Sequence, residues 1–302
     1  MTAMRDSSLV ALRDETDQAS LYALEVTAKD IAQVEASAGD IVPGTPINIA
    51  FLGNETHGQR IHAAHTIRKR GFEPVPIISS RRLRSERDAD DLLSGLTEAA
   101  RPRRFILVGG DPAVPAGPYA DSIQLLESGL LDRHAVRAVG IVAYPEGHPK
   151  IGDDVLWRAL KWKLDFLTKL GCSVEITTQF GFDADAIIRW IERLRHEGID
   201  APVRVGVPGP ASAGSLLRCA RQFGVITSAN IVRKYGLSLT NLLQRVGPER
   251  FFDQLRRGMS NRQLGTVRYH LYPFGGISDG VRWMNCHAGD PLRRTSQQSH
   301  PE

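Results

Sequence analysis

Eight short apolar runs, rich in β-branched residues, recur along this chain, and a stretch of helical periodicity follows each one. The runs are Tyr22–Val26, Ile47–Leu52, Pro74–Ile78, Phe105–Val108, Val139–Ala143, Val174–Thr178, Val203–Val207 and Arg268–Tyr272. Runs apolar on both faces suit parallel strands buried on each side. Helices are predicted between them at Asp30–Ser37, Gly58–Lys69, Asp88–Ala99, Asp121–Ser128, Asp153–Leu170 and Asp185–His196. Gly71, Gly171 and Gly198 stand where helices end on a left-handed glycine. Between the seventh and eighth strands three more helices are read, at Ser212–Gln222, Ser238–Val246 and Glu249–Met259, and a last one at Asp279–Cys286.

Eight such units predict an α/β fold of the (β/α)8 barrel type. The barrel is expected as a single domain over residues 20–288, with extra helices between strands seven and eight. A polar N-terminal extension over 1–19 and a polar C-terminal tail over 289–302 flank it. A doubly wound open sheet accommodates the same alternation. It is disfavoured because no G-x-G-x-x-G follows the first strand, where Glu25 sits instead.

Hydrophobic residues at 42% and charged residues at 24% exclude a disordered chain. The net charge of +4 is too slight to predict nucleic-acid binding. Cys172, Cys219 and Cys286 form no C-x-x-C pair, so they read as buried, reduced thiols rather than a disulfide framework or zinc knuckle. Residues 1–20 lack the apolar run of a secretory signal, and no stretch reaches the ~18 apolar residues of a membrane span. A soluble, cytoplasmic protein is expected, with no membrane or nucleic-acid partner, no metal, and homo-oligomerisation left open.

In a barrel, chemistry-bearing side chains come from the C-terminal ends of strands and the loops beyond. The residues that packing explains least all fall there. Glu25 interrupts an apolar strand, so it is either a partnered structural carboxylate or a functional acid. Asn54-Glu55-Thr56-His57 follows strand two. Gly109-Gly110-Asp111 follows strand four and reads either as a turn or as a close backbone approach to a ligand. Tyr144-Pro145-Glu146-Gly147-His148-Pro149 is a loop stiffened by two prolines, suited to cradling a ligand. Gln179 ends strand six, and Phe274 follows strand eight. His57, His62 and His65 read as an exposed helix face rather than metal ligands, and Arg81, Arg82, Arg84 and Arg87 as a solvated surface that could also attract phosphate.

The stretches Ala143–Pro149 and Thr178-Gln179-Phe180-Gly181-Phe182-Asp183 resemble the methylenetetrahydrofolate reductases. That family carries A-Y-P-E-x-H-P after strand five and T-Q-F/L-F-F-D/E after strand six. It also has R-G-D where this chain has Gly109-Gly110-Asp111, and a glutamate matching Glu25. The likeness runs from about residue 20 to residue 286. It implies a flavin oxidoreductase that interconverts 5,10-methylenetetrahydrofolate and 5-methyltetrahydrofolate, with FAD as cofactor and NAD(P)H as co-substrate. By the same resemblance Glu25 is the general acid that opens the folate ring, Asp111 contacts the pterin, and Gln179 orients folate or nicotinamide. Gly110, Asp111, Tyr119, Ala120, Tyr144 and His148 would line the FAD site, and Lys163 matches a lysine near its phosphates. Glu25, Asp111, Gln179 and Phe274 would meet the tetrahydrofolate-type substrate, with the first three sharing one cup.

The chain departs from the family pattern in four places. Val26-Thr27-Ala28-Lys29 replaces an aromatic-proline stretch, Pro76-Ile77-Ile78-Ser79-Ser80 stands where a histidine is expected near the end of strand three, Gly109 replaces the arginine of R-G-D, and Phe274-Gly275-Gly276 the sequence L-N-R. Two competing readings therefore stand beside the reductase: a non-catalytic folate- or flavin-binding barrel, and a flavin-independent folate-dependent methyltransferase.

Overall fold

A computed structural model describes residues 21–222, 245–260 and 262–288. All eight predicted strands are present: β1 (Tyr22–Val26), β2 (Pro46–Ile49), β3 (Glu73–Ser79), β4 (Phe105–Val108), β5 (Ala138–Ala143), β6 (Ser173–Phe180), β7 (Val203–Pro208) and β8 (Val267–Tyr272). They close into one parallel barrel, each strand paired with its neighbours in the chain. β8 seals it against β1, with Tyr22 opposite Tyr269 and Leu24 opposite Leu271. The open-sheet alternative is thereby excluded.

The connecting helices are α1 (Ile31–Ala36), α2 (His57–Lys69), α3 (Glu86–Ala100), α4 (Ser122–Glu127), α5 (Leu130–Arg133), α6 (Asp153–Lys169), α7 (Ala184–His196), α8 (Ala213–Gln222), α9 (Glu249–Met259) and α10 (Ile277–His287). Side chains in the loops after the strands set several of their starts. Thr56 and Gln59 form a capping box at α2, while Ser85, Asp121 and Asp183 accept backbone N–H groups at α3, α4 and α7. Each cap satisfies donors that a helix N-terminus leaves unpaired.

Alternation along the strands creates two faces of different chemistry. Leu24, Ile47, Leu107, Ile141, Val205 and Leu271 are buried beneath the helices as one apolar layer. Their neighbours, Glu25, Asn48, Ile106, Gly140, Arg204 and His270, face the barrel axis. Gly140 is required there, because a Cβ would come within 2.5 Å of Ile106 Cγ1. At the N-terminal end of the barrel, Glu175 is buried against Arg204 at 2.7 Å and Arg104 at 2.8 Å, with Arg268 at 3.8 Å. A buried carboxylate is tolerable only with such partners.

Some expectations need correction. The helix read at Ser238–Val246 lies outside the described residues save for Arg245–Val246, which form a short strand antiparallel to Ala211–Ser212. Ser212 stays out of α8 because its hydroxyl accepts the Ser215 N–H at 3.1 Å, a capping arrangement. The stretches 1–19 and 289–302 lie outside the described residues. Of the three thiols only Cys172 is buried; Cys219 is half-buried and Cys286 exposed on α10. Among the described residues no helix is long and apolar enough to cross a membrane, and no three His, Cys, Asp or Glu side chains cluster to hold a metal.

Candidate active site

Glu25 stands one residue from the C-terminal end of β1 and points toward the barrel axis. Its side chain is 23% exposed, and its Oε2 lies 2.9 Å from Nε2 of the fully buried His270 on β8. Two residues further along β8, the Tyr272 ring packs edge-on against His270, with centroids 4.6 Å apart. Its hydroxyl donates to the Thr178 carbonyl at 3.4 Å. Burial pushes the Tyr272 phenol well above its ordinary range, and the charges of Glu25 and Tyr144 add to the shift. Strands β1, β5, β6 and β8 therefore bring Glu25, Tyr144, Thr178 and Tyr272 into one electrostatic neighbourhood.

Around it lies an aromatic wall. The Phe180 ring meets Phe274 edge-on at 4.8 Å and Tyr272 at 5.2 Å. Tyr144 meets His148 at 4.9 Å. Burial raises the Tyr144 phenol, while burial and then Lys150 lower the His148 imidazole. His148 Nδ1 accepts the Lys150 N–H at 3.2 Å.

Gln179 sits in an irregularity of β6, where the register with β7 shifts between Thr177 and Phe180. Its Oε1 accepts the N–H of Phe180 at 3.1 Å, so the amide is folded onto its own strand. Gly206 makes room for this bulge: a Cβ there would lie 2.6 Å from the Phe180 nitrogen. Glu146, read as part of a ligand cradle, turns the other way. Its Oε1 accepts the N–H groups of Phe182 at 2.6 Å and Asp183 at 2.9 Å. Two adjacent backbone donors in a tight turn claim the carboxylate.

A second group of predicted residues gathers over β3 and β4. Asp111 is 78% exposed at its side chain and receives Arg82 Nη2 at 2.5 Å. A guanidinium thus stands beside this aspartate although position 109 is glycine. Gly110 adopts φ +101°, and a Cβ on it would overlap the Ser79 hydroxyl. Arg81 donates to the Ala120 carbonyl at 3.1 Å and to Ala113 at 2.6 Å, which fixes the loop carrying Tyr119 and Ala120. Tyr119 is buried. Lys163, half-buried on α6, is lowered by burial, and the charge of Asp121 opposes that shift.

Arg81 and Arg82 are accordingly half-buried rather than fully solvated, because carbonyls and a carboxylate of the β4 loop take their donors. Arg84 and Arg87 do lie on the surface, each beside an aspartate four residues on. No hydrogen bond or ion pair joins Asp111 to Glu25 or Gln179. The three occupy one rim, with Glu25 facing the axis and Asp111 facing Arg82.

Sequence reasoning missed His270, and also Arg60. The latter is fully buried, with its guanidinium carbon 3.7 Å above the centre of the Phe51 ring and Nη2 donating to the Ile77 carbonyl at 2.5 Å. Burial depresses it to about 9, with the Glu55 charge opposing and Arg82 reinforcing the shift. The signal was available: Arg60, Ala63, Ala64 and Ile67 share one helical face.

No family model matches the chain. Methylenetetrahydrofolate reductase 2 of Saccharomyces cerevisiae is 32% identical over 143 residues, which is 47% of this chain and 21% of that protein. Methylenetetrahydrofolate reductase 1 of Schizosaccharomyces pombe is 32% identical over 88 residues, 29% of this chain and 14% of that one. Over part of its length the chain is thus similar to methylenetetrahydrofolate reductases. Its matches span about a fifth or less of the length of these curated relatives. Among solved structures, a Clostridium thermocellum protein described as binding two copies of 5-methyl-5,6,7,8-tetrahydrofolic acid superposes with a TM-score of 0.59. The superposition covers 92% of this chain and 97% of the other, at 12% identity, and is a likeness of fold.

Proposed function

We propose that the barrel, residues 20–288, is an oxidoreductase that interconverts 5,10-methylenetetrahydrofolate and 5-methyltetrahydrofolate, exchanging a hydride with NAD(P)H by way of FAD. The observation that carries this reading is the Glu25 carboxyl, held by His270 inside an aromatic mouth. A partly shielded acid among apolar rings is what proton transfer to a folate nitrogen requires. Tyr272 and Phe274, with the buried Phe180 packed behind them, offer a face for a flat heterocycle.

The residues present also fit a flavin dinucleotide. Lys163 is a desolvated cation facing the Asp121 loop, and such an ammonium is stabilised further by a diphosphate. Gly110 brings backbone close to the rim where a side chain would not fit. Lys163, Gly110, Tyr119, Ala120, Tyr144 and His148 would hold FAD. When bound, FAD supplies hydride transfer between nicotinamide and the folate carbon.

The chain's own groups do the rest. Glu25 gives its proton to the nitrogen that leaves as the five-membered ring opens to the 5-iminium cation. Asp111, with Arg82 behind it, contacts the pterin. Gln179 orients the ring from the β6 bulge. The rings about the mouth exclude water from the reacting carbon.

Titration of the purified protein with FAD, followed by anaerobic addition of NADH and then 5,10-methylenetetrahydrofolate, tests the reading. Uptake of FAD, bleaching of its absorption band by NADH, and formation of 5-methyltetrahydrofolate are expected. Protein that neither takes up FAD nor turns over folate overturns it, and folate binding without FAD would assign a binding barrel instead.

A further inference from the structure

We infer that His270 is a positioning residue that decides which oxygen of Glu25 meets the substrate. The inference rests on the reading of Glu25 as the acid. His270 is fully buried at the axis of the barrel, opposite Ala23 in the β1–β8 register. Its Nε2 is 2.9 Å from Glu25 Oε2. Its Nδ1 is buried and has no hydrogen-bond partner among the described residues.

That asymmetry fixes the proton. A bare lone pair on Nδ1 is a small loss, whereas an N–H there would be a buried donor with nothing to bond. The imidazole is therefore neutral, carries its proton on Nε2, and donates it to Glu25 Oε2. An imidazolium, or the Nδ1–H tautomer with a protonated Glu25 as donor, would each strand an N–H inside the barrel.

With Oε2 occupied, Oε1 is the oxygen left to carry and deliver a proton in the mouth. His270 itself is clamped. The Tyr272 ring packs edge-on against it at 4.6 Å, and the Tyr272 hydroxyl is tied to the Thr178 carbonyl. The line Thr178–Tyr272–His270–Glu25 thus transmits the geometry of the β6 bulge to the acid, across a carboxyl that free rotation would otherwise swing between two orientations.

The imidazole 15N spectrum of the free protein, with the His270 signals assigned by their loss in His270→Gln, tests the tautomer without any cofactor. Protonated Nε2 and bare Nδ1 are expected, with the Nε2 signal moving in Glu25→Leu. An Nδ1–H tautomer or an imidazolium at neutral pH overturns the inference. In the FAD-loaded enzyme, His270→Leu should lower kcat for 5,10-methylenetetrahydrofolate about a hundredfold with little change in KM. His270→Gln, whose amide can still donate to Oε2, should recover most of the loss. Wild-type turnover that survives in His270→Leu overturns the inference and leaves the reductase reading intact. Absence of wild-type turnover defeats that reading while the spectrum still reports the pair. If His270→Leu does not fold, the spectrum and the glutamine variant decide.

Discussion

The Glu146 carboxylate accepts the backbone N–H of Phe182 at 2.6 Å, although the two residues lie in different loops of the barrel rim. One side chain thereby makes the loops after β5 and β6 a single body. Gly181 permits it, since a Cβ at that position would overlap the carboxylate. The Asp183 side chain then accepts the Ala186 N–H at 3.1 Å and starts α7. Glu146→Ala leaves two backbone donors without their acceptor. It should cost about 1–3 kcal/mol, read as a lower urea midpoint with an unchanged slope. A variant as stable as wild type would mean the two loops hold their shape independently.

Glu25→Gln keeps the shape of the side chain and an acceptor for His270, but it cannot give up a proton. Folate turnover should fall by about 10²–10⁴, the usual worth of a positioned acid. Reduction of bound FAD by NADH should persist, because no proton from Glu25 enters that step. Stopped-flow measurement of the two half-reactions separates them, and an equal loss in both would assign Glu25 a binding role.

Asp111→Asn separates stability from recognition. The Asp111 carboxylate is mostly in water, so its pair with Arg82 contributes about 0–1 kcal/mol. The melting temperature should stay near that of wild type. Binding of 5-methyltetrahydrofolate, followed by calorimetry, should weaken, and the rate of flavin reoxidation should shift. Unchanged binding would leave the Gly-Gly-Asp turn a structural one.

Lys163→Met should stabilise the apoprotein at neutral pH while weakening FAD. Burial lowers the Lys163 ammonium from its ordinary 10.5, so at pH 7 both folded and unfolded chains hold the proton and the folded one bears the desolvation cost. As pH rises through the lowered folded value, the native state sheds its proton first and the cost fades; above 10.5 it is gone. The advantage of methionine in denaturant titrations should therefore shrink between pH 7 and pH 10.5. A gain independent of pH would show that packing, not charge, is responsible.

The barrel was legible because parallel strands buried on both faces leave a strong trace: Ile47, Ile49, Val139, Ile141, Val203 and Val205 have few other uses. Glu25 was legible for the opposite reason, a charge where packing offers none. What hid was anything settled by contacts distant in sequence. His270 lies 245 residues from Glu25, and nothing local in Tyr269-His270-Leu271 marks its partner. Arg81 and Arg82 looked like solvated charge because their acceptors, Ala113, Ala120 and Asp111, sit on the next loop. Glu146 looked available because the two N–H groups that hold it belong to the loop after β6.

The Glu175 carboxylate and its arginine partners floor the barrel with paired charge, sealing the end away from Glu25. On the proposed reading, a nicotinamide dinucleotide and a folate would both reach the site from the opposite rim and would have to take turns there.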